Sequence, residues 1–176
     1  MSDTLITVVA ILLAAILMFM FPLMSVSERS DDVSQLAVQT AVNEFVDDSC
    51  TIGKITLENY NSLIGTLNST GNAYDVEIEV KILDENIGKK SAWTQGTVIG
   101  ENVYYSIYTS QIMAELENNA NGVYNLKKGD IVSVNAKNSG KTLAQMIRGV
   151  FYSISGNSNY QIAAQHSRAV TATASK

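Results

Sequence analysis

The chain opens on twenty consecutive positions without a charge, Leu5 to Met24, reading LITVVAILLAAILMFMFPLM. As a helix rising ~1.5 Å per residue, this run spans ~30 Å, the thickness of a bilayer's hydrocarbon core. Twelve of its residues are Leu, Ile, Val or Phe, which together favour insertion by about 5 kcal/mol. From Asp31 to Asp48 the pattern becomes amphipathic. Ala37, Val38, Ala41, Val42 and Phe45 recur at three-four spacing, with Gln39, Thr40, Asn43 and Asp47 opposite. No glycine interrupts this stretch, and the one proline, Pro22, sits near the outer end of the apolar run. Proline removes a backbone hydrogen bond and predicts a kink near Met18 and Phe19. The expectation is one helix of roughly 45 residues, half facing lipid and half packed on a domain.

Beyond Gly53 the pattern breaks into shorter elements. Thr56 can cap a helix with Leu57, Tyr60, Leu63, Ile64 and Leu67 as its apolar stripe and Gly71 at its end. Val76, Ile78, Val80 and Ile82 then alternate with Asp75, Glu77, Glu79 and Lys81, a strand with one buried and one wet face. Residues 84–101 read as a loop or loose hairpin. The stretch Asn102 to Leu116 is ambiguous, because VYYSIY has strand composition while later spacing favours a helix from about Thr109. A turn at 126–130 leads into a strand carrying Val132, Val134 and Ala136 on one face. Thr142 is placed to cap a helix whose Leu143, Met146, Ile147, Val150, Phe151 and Ile154 follow a strict three-four spacing. Tyr160, Ile162, Ala164 and Val170 line one side of a last strand. The acidic wet face at 75–79 predicts a sheet covered by helices on one side only, hence α+β. The chain divides into a transmembrane helix (1–24), an amphipathic helical stalk (25–50) and an extracytoplasmic α+β head (51–176).

Composition narrows the function. The chain has 176 residues, one Cys, one His and a net charge of −5. A single Cys excludes a disulfide framework and a thiolate-built zinc site. An acidic balance argues against a nucleic-acid partner. The n-region lacks Lys and Arg and the apolar run exceeds a signal peptide's usual length, so a retained anchor is favoured over a cleaved leader, although Ser25-Val26-Ser27 is a tolerable cleavage site. The acidic flank after Met24 places the C-terminal part outside the cytoplasm. Charge is also divided along the chain: residues 1–130 hold 17 acids and 7 bases, and residues 131–176 hold five bases and no acid. Intramolecular pairing accounts for such asymmetry as readily as head-to-tail subunit contact does.

The motifs that suggest chemistry each have a simpler reading. Asn135-Ala-Lys-Asn-Ser-Gly140-Lys141-Thr142 has the ending of a phosphate-binding loop, but Asn135 stands where the first glycine is needed and no acid follows Asp130 to support magnesium. A polar turn with a Thr cap is the better reading, and no nucleotide is expected. His166 is expected as a structural residue near a sheet edge. Asp75, Glu77 and Glu79 form a solvated row that Lys81 continues, Asp84 to Gly88 is half of a calcium loop without its closing Glu, and Cys50 is a small packing residue. No catalytic, cofactor or metal set emerges, and no enzyme activity is expected. Trp93 with Tyr104, Tyr105 and Tyr108 could serve as a partner surface, although such tyrosines more often bury rings and leave hydroxyls wet.

The segment TLITVVAILLAAILMFMFP, running into an amphipathic helix and an α+β head, resembles type IV pilins and pseudopilins, in which Pro22 would be the helix-kinking proline. The resemblance implies a helix that anchors the subunit in the membrane and then packs in a filament core. The family's glycine before the helix is missing, and Asp3 is the only acid near its start. FVDDSCTIGKITLENYNSLIGTLNSTGNAYDVEIEV is similar to membrane-anchored proteins found with Tad-type pilus systems of Gram-positive bacteria, which implies a pilus or secretion accessory. The resulting expectation is a structural subunit held by the bilayer that self-associates or joins other pilus subunits. Leu5, Ala10, Ala14, Ala15 and Pro22 would lie on its assembly helix, the alanines offering small faces for helix packing. A membrane-tethered domain that binds cell-wall glycan or a surface protein is the alternative.

Overall fold

The computed structural model describes residues 2–84, 104–147, 149 and 161–174. The expected long helix is there as α1 (Ser2–Ile52), 51 residues continuing through Pro22. It stops where glycine permits a positive φ. Gly53, at φ 77°, donates to Ser49 O at 2.9 Å, a left-handed C-terminal cap. A Cβ at Gly53 would collide with the Ala172 carbonyl, so only glycine lets the C-terminal tail pass this close.

Gly53 also starts β1 (Lys54–Thr56), a short strand the hydrophobic pattern does not mark because it is only three residues long. Thr56 then caps α2 (Leu57–Ser69), its side chain accepting from Asn59 N at 3.1 Å. β2 (Tyr74–Leu83) is the expected alternating strand, and β3 (Tyr104–Tyr108) pairs antiparallel to it. The ambiguity around Tyr105 resolves as strand up to Tyr108 and helix from Thr109, in α3 (Thr109–Asn118). β4 (Val123–Asn125) pairs with β1 in a two-stranded ribbon. β5 (Ile131–Asn138) and β6 (Ala163–Ala169) complete an antiparallel sheet ordered β3-β2-β5-β6.

Register builds the core. Ile78 sits opposite Val134 and Val80 opposite Val132, all fully buried, while Ala136 faces Ala164. The opposite face carries Asp75, Glu77, Ser133, Asn135, Gln165 and Ser167 toward solvent. One face is therefore covered by helices and the other is wet, the α+β arrangement the alternation implied. α1 packs on β5 and β6, where the small Ala136 and Ala164 leave room for it. Val38, Val42, Phe45 and Val46 of α1 join Leu63 and Leu67 of α2 and Ile112 and Leu116 of α3 in one hydrophobic cluster.

One expected stripe is buried only in part. Residues 143–147 are helical, and Thr142 caps them, accepting from Gln145 N at 3.2 Å while Gln145 Oε1 accepts from Thr142 N. However, Ala144, Gln145 and Ile147 are buried, whereas Leu143 and Met146 are about half exposed. The segment meets α1 through Thr142, whose Oγ1 donates to Asp31 Oδ2. The expected positions Val150, Phe151, Ile154 and Tyr160 lie outside the described residues, as does nearly all of the 84–101 loop.

Replacing Ile78 by alanine is expected to cost about 2–5 kcal/mol by urea denaturation, through lost burial and the cavity left behind. Leu36→Ala, on the exposed side of α1, should cost less than ~0.5 kcal/mol.

Candidate functional site

The two surfaces that sequence reasoning singled out are the apolar half of α1 and the tyrosine-bearing edge of the sheet. Along α1, the most apolar 18-residue window has a mean hydropathy of 2.8 and none of it is buried. Leu5, Ile11, Met18 and Phe19 are all more than half exposed. A soluble helix would hide such residues. Among the described residues there is thus one helix long and apolar enough to cross a membrane. Ala10 and Ala14, four apart, share one exposed line along it, while Ala15 turns ~100° away, so the three alanines form two faces rather than one.

The tyrosines are also divided. Tyr104 and Tyr108 stand opposite Leu83 and Glu79 on the wet face, whereas Tyr105 stands opposite Ile82 on the core side. The strand's period of two enforces that split. Tyr108 alone borders a shallow depression of about 120 Å³ lined also by Glu77, Glu79, Ser133, Asn135 and Gln165. Glu79 is engaged at its rim, accepting from Ser106 Oγ at 2.7 Å and lying 3.8 Å from Lys81. Trp93 lies outside the described residues.

A third constellation could not be read from the sequence because its members lie more than a hundred positions apart. It is the polar seam between α1 and the head. Asp47 Oδ1 accepts from Arg168 Nη1 at 2.8 Å and lies 3.3 Å from His166 Nε2. Three residues on, the Cys50 thiol donates to Arg168 O at 3.3 Å, and Thr171 N donates to Cys50 O at 3.0 Å. Further down α1, the Gln35 amide donates to Ala163 O at 2.8 Å and accepts from Ala163 N at 3.1 Å. Below Gln35, Thr142 Oγ1 donates to Asp31 Oδ2 at 2.6 Å.

Electrostatics along the seam follow from these contacts. The Arg168 hydrogen bond, seconded by that of His166, holds the Asp47 carboxyl below its ordinary range. Burial pushes the Cys50 thiol up, so it stays protonated as a donor and packs as expected. Arg168, one of the five bases of the C-terminal part, is thus paired within the chain. His166, on the edge strand β6, is a seam residue. The phosphate-loop-like segment is strand up to Asn138, followed by a turn in which Asn138 Oδ1 accepts from Gly140 N at 3.0 Å. Its Thr142 serves as helix cap and Asp31 partner. Among the described residues no three His, Cys, Asp or Glu side chains are grouped to hold a metal.

No protein-family model matches the chain, and no curated protein or solved structure matches it. The family resemblance of the N-terminal helix therefore rests on its sequence pattern.

Because the Asp47 pKa is depressed in the folded state, its contribution to stability is present above the unfolded value near ~4 and is lost as pH falls through the lower folded value. Asp47→Asn should therefore be less stable than the parent at neutral pH in denaturant melts. The gap should narrow steadily below about pH 4.

Proposed function

We propose that this protein is a single-pass, membrane-anchored structural subunit, pilin-like or an accessory of a pilus or secretion filament, with its head outside the cytoplasm. The observation that carries the reading is the use of α1. Its first half presents bare apolar side chains, and its second half supplies core residues to the head without a break between them. A domain that needed only tethering would be served by a flexible linker after the membrane. A continuous helix built into the core fixes the head relative to the anchor, which a subunit of an ordered assembly requires.

Lateral packing is the mechanism that fits. Small residues let helix backbones approach closely within lipid. Ala10 and Ala14 on one face and Ala15 on another let a single helix meet two neighbours. The alternative, a tethered glycan-binding domain, is weakened on two counts. The tyrosines that would stack on a sugar are split between faces. The depression that Tyr108 borders measures about 120 Å³, below the ~300 Å³ at which small-ligand pockets begin.

Oxidative cross-linking of Ala14→Cys in native membranes should give covalent dimers. A purely monomeric product, together with retention of the protein on peptidoglycan, would favour the tethered-domain reading instead.

A further inference from the structure

We infer that the head touches the bilayer a second time, through the short helical segment at residues 142–147, with Leu143 and Met146 entering the boundary between headgroups and acyl chains. The inference rests on the reading of Leu5 to Met24 as a membrane span, and it adds a contact that this span does not require.

Three observations place the segment at that level. Thr142 is held to Asp31 by the 2.6 Å hydrogen bond, and Asp31 lies only seven residues beyond Met24, ~10 Å along the helix axis. Side chains on an α-helix lean toward its N-terminus, which draws the tie further toward the span. Shielding on this side of α1 also continues downward. Ser27 is only 7% exposed, and Leu17, Met20 and Met24, on the same helical face, are partly shielded, whereas Met18 and Phe19 are 76% and 77% exposed. The face of α1 that carries Asp31 is therefore less exposed than the opposite face down into the apolar run.

The segment's own chemistry fits a lipid surface. Ala144 and Ile147 turn inward and are buried. Leu143 and Met146, three apart and on one face, are 50% and 51% exposed. An apolar pair on an amphipathic helix at headgroup depth is how interfacial helices hold a membrane. Lys141, exposed at the start of the segment, adds a charge suited to anionic lipid, and no acidic residue follows Asp130 anywhere in the chain. A second copy of the chain is the other possible occupant of this face. It would have to displace lipid from the headgroup layer to reach it.

The test uses the full-length protein reconstituted in vesicles of phosphatidylcholine and phosphatidylglycerol. Single cysteines at Leu143, Met146, Ala14 and Asn121 each carry an environment-sensitive dye, and Cys50 stays unlabelled because it is fully buried. Lipids spin-labelled near the headgroup should quench the dyes of Leu143→Cys and Met146→Cys by about twofold or more over that of Asn121→Cys, an exposed site near the far end of α1. Lipids labelled deep in the chain should quench Ala14→Cys. Quenching at Ala14 without quenching at 143 and 146 overturns the second contact and leaves the span intact. An unquenched Ala14 dye overturns both. Disulfide-linked dimers of Leu143→Cys in place of quenching would assign the face to a second copy and equally overturn the inference.

Discussion

Val38, Val42, Val46 and Cys50 recur every fourth residue along one face of α1, and each is fully buried against the head. At roughly 1.5–3 kcal/mol for each large apolar side chain buried, this face rivals the entire net stability of a domain, which is about 5–15 kcal/mol. The helix cannot lift away without opening the sheet it covers, since Ile78, Val80, Val132 and Val134 have helices as their lid. The second half of α1 is consequently part of the head's core, and whatever holds the first half also orients the head.

Polar contacts then set which edge of the sheet the helix meets. An exposed edge strand is a liability, because its free backbone groups invite pairing with other chains. β6 is such an edge, and Gln35 satisfies both backbone groups of Ala163 there, as a neighbouring strand would. Asp47 grips Arg168 and His166 on the same strand. Such surface charge contacts add little energy individually. Their value lies in position, since they mark one register of helix on strand. The C-terminal tail closes the arrangement at the top, where Thr171 bonds Cys50 and the missing side chain of Gly53 admits Ala172.

The legible parts of the fold were those with long periodic patterns. The apolar run, the amphipathic continuation through Phe45, the cap at Thr56, the alternation from Val76 to Ile82 and the helix start at Thr109 were all written in local spacing. β1 and β4 were not, because three residues are too few to show a period and their pairing depends on Gly53 and Gly122 bringing distant segments together. Of the stripe that starts at Leu143, Ile147 is buried while Leu143 and Met146 are half exposed. Spacing identifies which residues share a face of a helix but not which of them pack inward. The seam around Asp47 was invisible for the same reason: its partners stand about 120 residues away. Nothing local marks Asp47 as different from the other polar residues opposite the stripe.

The central claim is that the head and the outer half of α1 form one cooperative unit. Amide hydrogen exchange on the full-length protein in a lipid nanodisc tests it most directly. The account requires the amides of Val42 to Val46 to exchange only through global unfolding, at the free energy measured for Val132 to Ala136 in β5. Rapid exchange along that helix, while the strand amides stayed protected, would mean that α1 is a detachable tether and would contradict the account.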